Sequence, residues 1–321
     1  MYSYENYSKV KAELERRRTE ALTTADSRSE LMRSLSPEIK EIDEELSGTG
    51  LLLFRTACAG GDITPIRERN QALMARRREL IVSLGYPEDY TEVHYTCPDC
   101  SDSGFIGGTR ICHCFKEALV KATIASSGIG HLIEKQSFEN FNLDWYKQNP
   151  EEYEYMIRVI AEAQNYAKNF PGRKGNLLMM GTTGTGKTHI STSIAATVIK
   201  QGYDVVYDTA QNIFSDFEFD RFKNGYGREE SRCEKYLECD LLIIDDLGTE
   251  FSSPFTVSCL YNLINTRYNR GLGTIISTNL DLNELSTRYE GRISSRLLGE
   301  GYKVLQFKGK DHRLFGKTNR K

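Results

Sequence analysis

The stretch that most constrains this chain is Leu177-Leu-Met-Met-Gly181-Thr182-Thr183-Gly184-Thr185-Gly186-Lys187-Thr188. Four apolar residues read as a buried strand, the glycines as a tight turn, and His189-Ile-Ser-Thr as the start of a helix. That is the context in which G-x-x-x-x-G-K-[ST] binds phosphate. The glycines let the loop curl until successive backbone N–H groups point inward, and the helix N-terminus adds partial positive charge. Lys187 would then set a cation between the β- and γ-phosphates, and the Thr188 hydroxyl would ligate Mg²⁺. Every residue from Gly181 to Thr188 is expected to line the nucleotide.

A second segment, Asp240-Leu-Leu-Ile-Ile-Asp245-Asp246, runs four apolar residues into two carboxylates. A buried strand that ends so delivers the acids to the carboxyl edge of a sheet, where open α/β folds bind ligands. Asp245 is expected to hold Mg²⁺, directly or through water, and Asp246 to orient or deprotonate the attacking water. Asp246 could instead cap a following helix. The next strand, Thr274-Ile-Ile-Ser-Thr278-Asn279, puts Asn279 where it could position water at the γ-phosphate; an ordinary loop start is the plainer reading.

The rest of the chain sorts into three regions. Residues 1–93 look helical: Ser36-Pro37 and Thr64-Pro65 are start signals, and Gly48 and Gly85 are expected to close the two helices. Ile39, Ile42 and Leu46 share one face, and Ile66, Leu73, Leu80 and Leu84 form a stripe on the other helix. Arg16–Arg18 and Arg76–Arg78 read as solvated surface, so this partner-binding region should pack as a small hairpin or on another protein. Residues 94–120 hold a cysteine cluster. Residues 121–321 alternate apolar runs (177–180, 205–207, 241–244, 274–277, 304–307) with helical stretches, which means an α/β domain with a mainly parallel sheet.

Composition adds limits. The chain has 321 residues, 39% of them hydrophobic and 27% charged, with a net charge of −3, which argues against coating nucleic acid by bulk charge. Seven Lys or Arg against Asp311 alone occupy residues 301–321, most simply a solvated tail. No run of 18 apolar residues and no apolar leader occur, so the expected address is cytoplasmic, with no membrane partner.

Four of the eight cysteines fall in Cys97-Pro-Asp-Cys100 and Cys112-His-Cys114. In a cytosolic chain this spacing points to metal rather than disulfides. Each pair makes a knuckle, and a hairpin of Phe105-Ile106 with Arg110-Ile111 would bring the pairs together into a four-thiolate Zn²⁺ site. His113 could replace one cysteine. Buried free thiols and a redox dithiol are weaker alternatives, because so short a segment has no core and no βαβ setting.

These residues resemble the DnaC/DnaI-type replicative helicase loaders, AAA+ ATPases close to the IstB-type transposition ATPases. The resemblance rests on Ser137-Phe-Glu-Asn-Phe-Asn142, Gly181–Thr188, Leu242-Ile-Ile-Asp-Asp-Leu-Gly248, Ser277-Thr-Asn279, Arg292-Ile-Ser-Ser-Arg296-Leu297 and Phe307-Lys-Gly-Lys-Asp-His-Arg313. It implies an α/β AAA+ P-loop core with a five-stranded sheet, in which Asn279 senses the γ-phosphate. Arg296, with Arg292 in reserve, would be the arginine finger that completes a neighbour's site in an ATP-dependent oligomer. Arg313 would contact nucleotide, and 137–142 would lie near adenine. Most AAA+ ATPases carry Glu where this chain has Asp246, which bears on the rate of hydrolysis more than on ATP binding.

The function so implied is loading of a DnaB-type hexameric replicative helicase by a slow ATPase stimulated by DNA, helicase or self-assembly. The alternative is regulation of DNA transposition. The cysteine module and long helical N-terminus favour the loader. Single-stranded DNA would meet Arg221, Phe222 and Lys223, where aromatics interleave with cations as stacking and phosphate contact require. A core role for the nearby Phe214, Phe217 and Phe222 is the plainer reading.

Overall fold

Few apolar residues in the N-terminal region suffice to pair its helices, because ion pairs share the work. The computed structural model describes residues 2–171, 175–222, 231–299, 301–309 and 311. The chain clusters into two compact units, Lys9–Lys116 and Met1–Ser8 with Glu117–Lys321. The first unit takes most of α1 (Tyr4–Leu35), then α2 (Pro37–Cys58) and α3 (Thr64–Ser83). The Ser36 side chain accepts the N–H of Ile39 at 3.3 Å and Pro37 opens α2, as the sequence signal requires. Met32, Ile39 and Ile81 are fully buried together.

Arg76 lies on solvated surface as expected and Arg77 is half-buried, and both tie α3 to α2. Arg77 meets Asp43 at 2.6 Å and Arg76 meets Glu38 at 2.8 Å, while Arg69 reaches Glu45 at 2.7 Å. Exposed pairs of this kind contribute roughly 0–1 kcal/mol each, so the half-buried Arg77–Asp43 pair is the strongest of them. Gly48 does not close its helix: α2 continues to Cys58. A mid-helix glycine costs only about 1 kcal/mol, and Leu51–Phe54 beyond it are good or tolerable helix formers. Leu84 falls at the C-cap and is exposed, so Ile81 takes its place on the buried stripe.

The same unit ends in a hairpin of β1 (Phe105–Ile106) and β2 (Arg110–Ile111), antiparallel with Phe105 opposite Ile111, followed by α4 (His113–Ser126).

The second unit contains α5 (Gly130–Ile133), a 3₁₀ turn at Leu143–Tyr146, α6 (Pro150–Lys168), β3 (Asn176–Met180), α7 (Lys187–Lys200), β4 (Val205–Thr209) and α8 (Ala210–Phe222). It continues through α9 (Glu234–Glu238), β5 (Leu241–Leu247), α10 (Pro254–Arg270), β6 (Gly273–Thr278), α11 (Leu282–Arg288), α12 (Glu290–Leu298) and β7 (Tyr302–Gln306). The five strands are parallel in the order β4-β5-β6-β3-β7.

Both faces of this sheet are covered, which is why the strands read as continuous apolar runs rather than alternating ones. Leu177, Met179, Ile243 and Ile275 face α6 and α7 through Val159, Ala163, Ile190 and Ile194. Their neighbours Leu178, Met180, Ile244 and Ile276 face the other way, against Ile213, Leu260, Leu263 and Ile293. With β3, β5 and β6 adjacent and parallel, their carboxyl ends gather in one place. This is a parallel α/β sheet whose carboxyl edge carries the phosphate loop. Among the described residues no helix is long and apolar enough to cross a membrane.

Candidate nucleotide site and cysteine cluster

The loop after β3 curls as its glycines allow. Gly186 sits at φ +88° at the start of α7, and a Cβ there would come within 2.6 Å of the Phe141 ring. Only glycine satisfies both the backbone and the close approach. The Tyr146 hydroxyl donates to the Thr185 carbonyl at 2.9 Å and holds the loop from beneath. A cavity of ≈ 210 Å³ opens over it, lined among others by Gln136, Phe141, Trp145, His189, Lys187, Asp246 and Asn279. His189 donates through Nε2 to the Ser137 carbonyl at 2.8 Å, and Phe141 meets its ring edge-to-face.

Lys187 is buried and its amine donates to the carbonyls of Gly181 (2.6 Å) and Thr182 (2.9 Å) and to Asn279 Oδ1 (2.7 Å). The ammonium is thus held over the loop, at the end of the strand that carries Asn279. The segment after β7 runs alongside: Thr182 Oγ1 donates to the Gly309 carbonyl at 3.4 Å, and a Cβ on Gly184 would meet Asp311.

The two carboxylates are handled differently, and the backbone explains how. The β5–β6 register shifts between Ile244 and Leu247, and Asp246 adopts φ +53°. A bulge re-aims side chains, and aspartate is among the residues that tolerate the left-handed region. Asp246 accordingly lines the cavity while Asp245 stays within the sheet, 3% exposed. Asp245 accepts from the hydroxyls of Ser277 and Tyr207 and, at 3.1 Å, from Thr188. Ser277 Oγ also accepts the Asp246 N–H at 2.9 Å. Burial, and then the charge of Asp245, pushes the Tyr207 phenol well above its ordinary range, so it is a donor at any working pH. A buried hydroxyl–carboxylate pair opposite the phosphate loop fits a hard divalent cation, which takes oxygen ligands.

Of the expected site residues, the structure brings together Gly181–Thr188, Asp245, Asp246 and Asn279. Arg296 does not line this cavity; on α12, it lies over the Tyr261 ring at 5.4 Å. Arg313, Lys223 and the side chain of Arg292 lie outside the described residues. On α8, Phe214 is buried and Phe217 packs against the core, but Phe222 is 78% exposed. Arg221 stacks over Phe255 at 5.0 Å.

Sequence reasoning missed Tyr207, Ser277 and Tyr146. It also missed Glu250, 3% exposed, which accepts from the Tyr289 hydroxyl and the Gly248 N–H and faces Arg288 at 3.6 Å. The available signal for Ser277 and Tyr207 was a hydroxyl at the end of an apolar run.

In the other unit the four cysteine sulfurs lie within 4.8 Å of one another. Cys97 and Cys112 are 3.7 Å apart and Cys100 and Cys114 3.4 Å. Tetrahedral zinc with ligands at 2.3 Å separates its sulfurs by about 3.8 Å, so the donor set and spacing fit. Asp102, buried at φ +53°, accepts the N–H groups of Thr96 and Cys97 at 2.8 Å each and braces the first knuckle. Gly104, at φ +80°, has Leu14 and Phe115 carbons 3.1 Å from where a Cβ would be. His113 turns outward to Asp99 at 3.5 Å, with Nδ1 3.6 Å from Cys112 Sγ. Burial and the neighbouring sulfurs push the Cys114 thiol up, so cation binding there would release protons.

Residues 135–314 match the family described as IstB-like ATP binding protein. The replicative helicase loader DnaC of Escherichia coli (strain K12) is 26% identical over 178 residues, which is 56% of this chain and 69% of that protein. The phage-like element PBSX protein XkdC of Bacillus subtilis (strain 168) is 25% identical over 235 residues, 69% of this chain and 84% of that protein. A crystal structure of the DnaC helicase loader superposes with a TM-score of 0.43 and 23% identity, covering 48% of this chain and 90% of that one.

Proposed function

We propose that this chain, which belongs to the IstB-like ATP binding protein family, is a cytoplasmic ATPase that loads a hexameric replicative helicase onto single-stranded DNA. The observation that carries the reading is the convergence of Lys187, Asp246 and Asn279 on one cavity above a phosphate loop. It is supported by the similarity to replicative helicase loaders DnaC of Escherichia coli and Buchnera aphidicola.

In this reading ATP lays its phosphates over Gly181–Thr188, and Lys187 balances the charge of the β- and γ-phosphates. Thr188 and Asp245 would hold Mg²⁺, which when bound neutralises further phosphate charge. Asp246 accepts a proton from the attacking water and Asn279 helps position it. Arg296, away from its own cavity, acts on a neighbour's γ-phosphate in an assembled oligomer. Arg313 contacts nucleotide, and Arg221, Phe222 and Lys223 contact DNA. Cys97, Cys100, Cys112 and Cys114 hold a structural Zn²⁺ beside the helical region, which grips the helicase.

Mixing the chain with its host's replicative helicase and ATP should give a common peak in size exclusion. No common peak, together with co-elution with a transposase, would replace this reading with regulation of transposition, which the family match also favours.

Hydrolysis gives a second expectation. Asp246→Asn should retain ATP binding and lower steady-state turnover about 100-fold or more, because a neutral amide cannot take the proton. Arg296→Ala should also turn over slowly, yet regain activity when mixed with Lys187→Ala subunits that bring an intact Arg296 to its intact phosphate loop. Unchanged turnover by Asp246→Asn would make that carboxylate structural, and no rescue in the mixture would remove Arg296 as a finger.

A further inference from the structure

We propose that Tyr207 and Ser277 are positioning residues for the divalent cation, each acting through one oxygen of Asp245. The inference rests on the ATP–Mg²⁺ reading above and adds which groups of this chain set its metal dependence.

The sheet order places β5 between β4 and β6, so Asp245 has a strand on each side. Tyr207 lies opposite Ile243 in the β4–β5 register and therefore diagonal to Asp245, within reach of a long side chain. Its hydroxyl donates to Oδ2. From the other side Ser277 donates to Oδ1. Each carboxylate oxygen is thus fixed by a neutral donor from a different strand, and the carboxylate plane is set.

Thr188 supplies the third hydroxyl, at 3.1 Å from Oδ2. It differs from the other two because it sits in the first turn of α7, where the phosphate loop needs it for the cation. Once that hydroxyl turns to the cation, Tyr207 and Ser277 are the hydroxyl donors left on Asp245 among the described residues. A carboxylate only 3% exposed would otherwise turn toward whichever donor remained. Ser277 has a second duty, since it accepts the Asp246 backbone N–H and so ties the Asp245 carboxylate to the main chain at Asp246.

The test is nucleotide binding, not turnover. A fluorescent ATP analogue at fixed concentration is titrated with Mg²⁺ on wild type, Tyr207→Phe and Ser277→Ala, and the affinity of each is measured again in EDTA. Removal of an outer partner of a metal ligand typically weakens metal affinity 10–100-fold, so both variants should need at least about tenfold more Mg²⁺ at half-saturation. Their affinity in EDTA should match wild type, which also shows that they fold. The two hydroxyls come from different strands, so a variant that fails to fold leaves the other to decide. An unchanged Mg²⁺ requirement, or an affinity loss equal with and without Mg²⁺, overturns the inference while the ATP reading stands. A wild type that binds no better with Mg²⁺ than in EDTA overturns both.

Discussion

Lys187→Ala is expected to lower ATP affinity by at least about 100-fold. The wild-type amine is buried and donates to the carbonyls of Gly181 and Thr182 and to Asn279 Oδ1. Those neutral acceptors keep an ammonium over the loop, and phosphate oxygens, which are charged, outcompete them. A hydrogen bond to a charged group contributes about 1.5–3 kcal/mol, so contact with two phosphates is worth ~3 kcal/mol or more, a factor of 100 or above. Alanine removes this and leaves the Asn279 amide without its donor. Titration with a fluorescent nucleotide reads the affinity directly. Tight binding by Lys187→Ala would show that nucleotide sits elsewhere than above Gly181–Thr188.

Much of this site was legible in the sequence because its chemistry is local. Gly186 before Lys187, and Asp245 at the end of an apolar run, declare their roles by position along one strand or one turn. The inner strands β3, β5 and β6 were equally legible, since strands covered on both faces demand unbroken apolar runs. What could not be read depends on contacts between distant segments. Arg267 is fully buried and donates to the Gly273, Tyr236 and Cys239 carbonyls at 2.6, 2.8 and 3.0 Å. No charge partner near it in sequence announces that. Tyr207 and Ser277 became site residues only when the strand order put them on either side of Asp245. The Asp245–Asp246 pair was visible, but the bulge that separates their roles was not, because a register shift belongs to two strands rather than one. Gly48 failed as a helix stop for the opposite reason: its local signal was overridden by the sequence that follows.

Metal analysis of the purified chain is expected to find one zinc, and Cys97→Ser or Cys100→Ser to release it. Structural zinc in small cysteine sites contributes about 10–16 kcal/mol to folding. That is as large as the whole stability of an ordinary domain, about 5–15 kcal/mol, so little around the hairpin can remain ordered without it. The hairpin brings little core of its own: β1 and β2 have two residues each, the cysteines cluster with Ile106, and Phe105 meets Phe115 edge-on at 5.4 Å. Loss of zinc also loosens the knuckle whose Thr96 and Cys97 N–H groups the buried Asp102 carboxylate accepts. The nucleotide residues belong to the other compact unit, so ATP affinity should survive. Amide exchange across residues 94–116 and nucleotide titration of the same Cys97→Ser sample separate the two effects. Exchange should rise to near the unprotected rate while the titration stays at the wild-type value. A metal-free wild type whose residues 94–116 remain protected would remove zinc from this protein, and a Cys97→Ser sample that loses ATP binding would show that the cysteine cluster supports the nucleotide site as well.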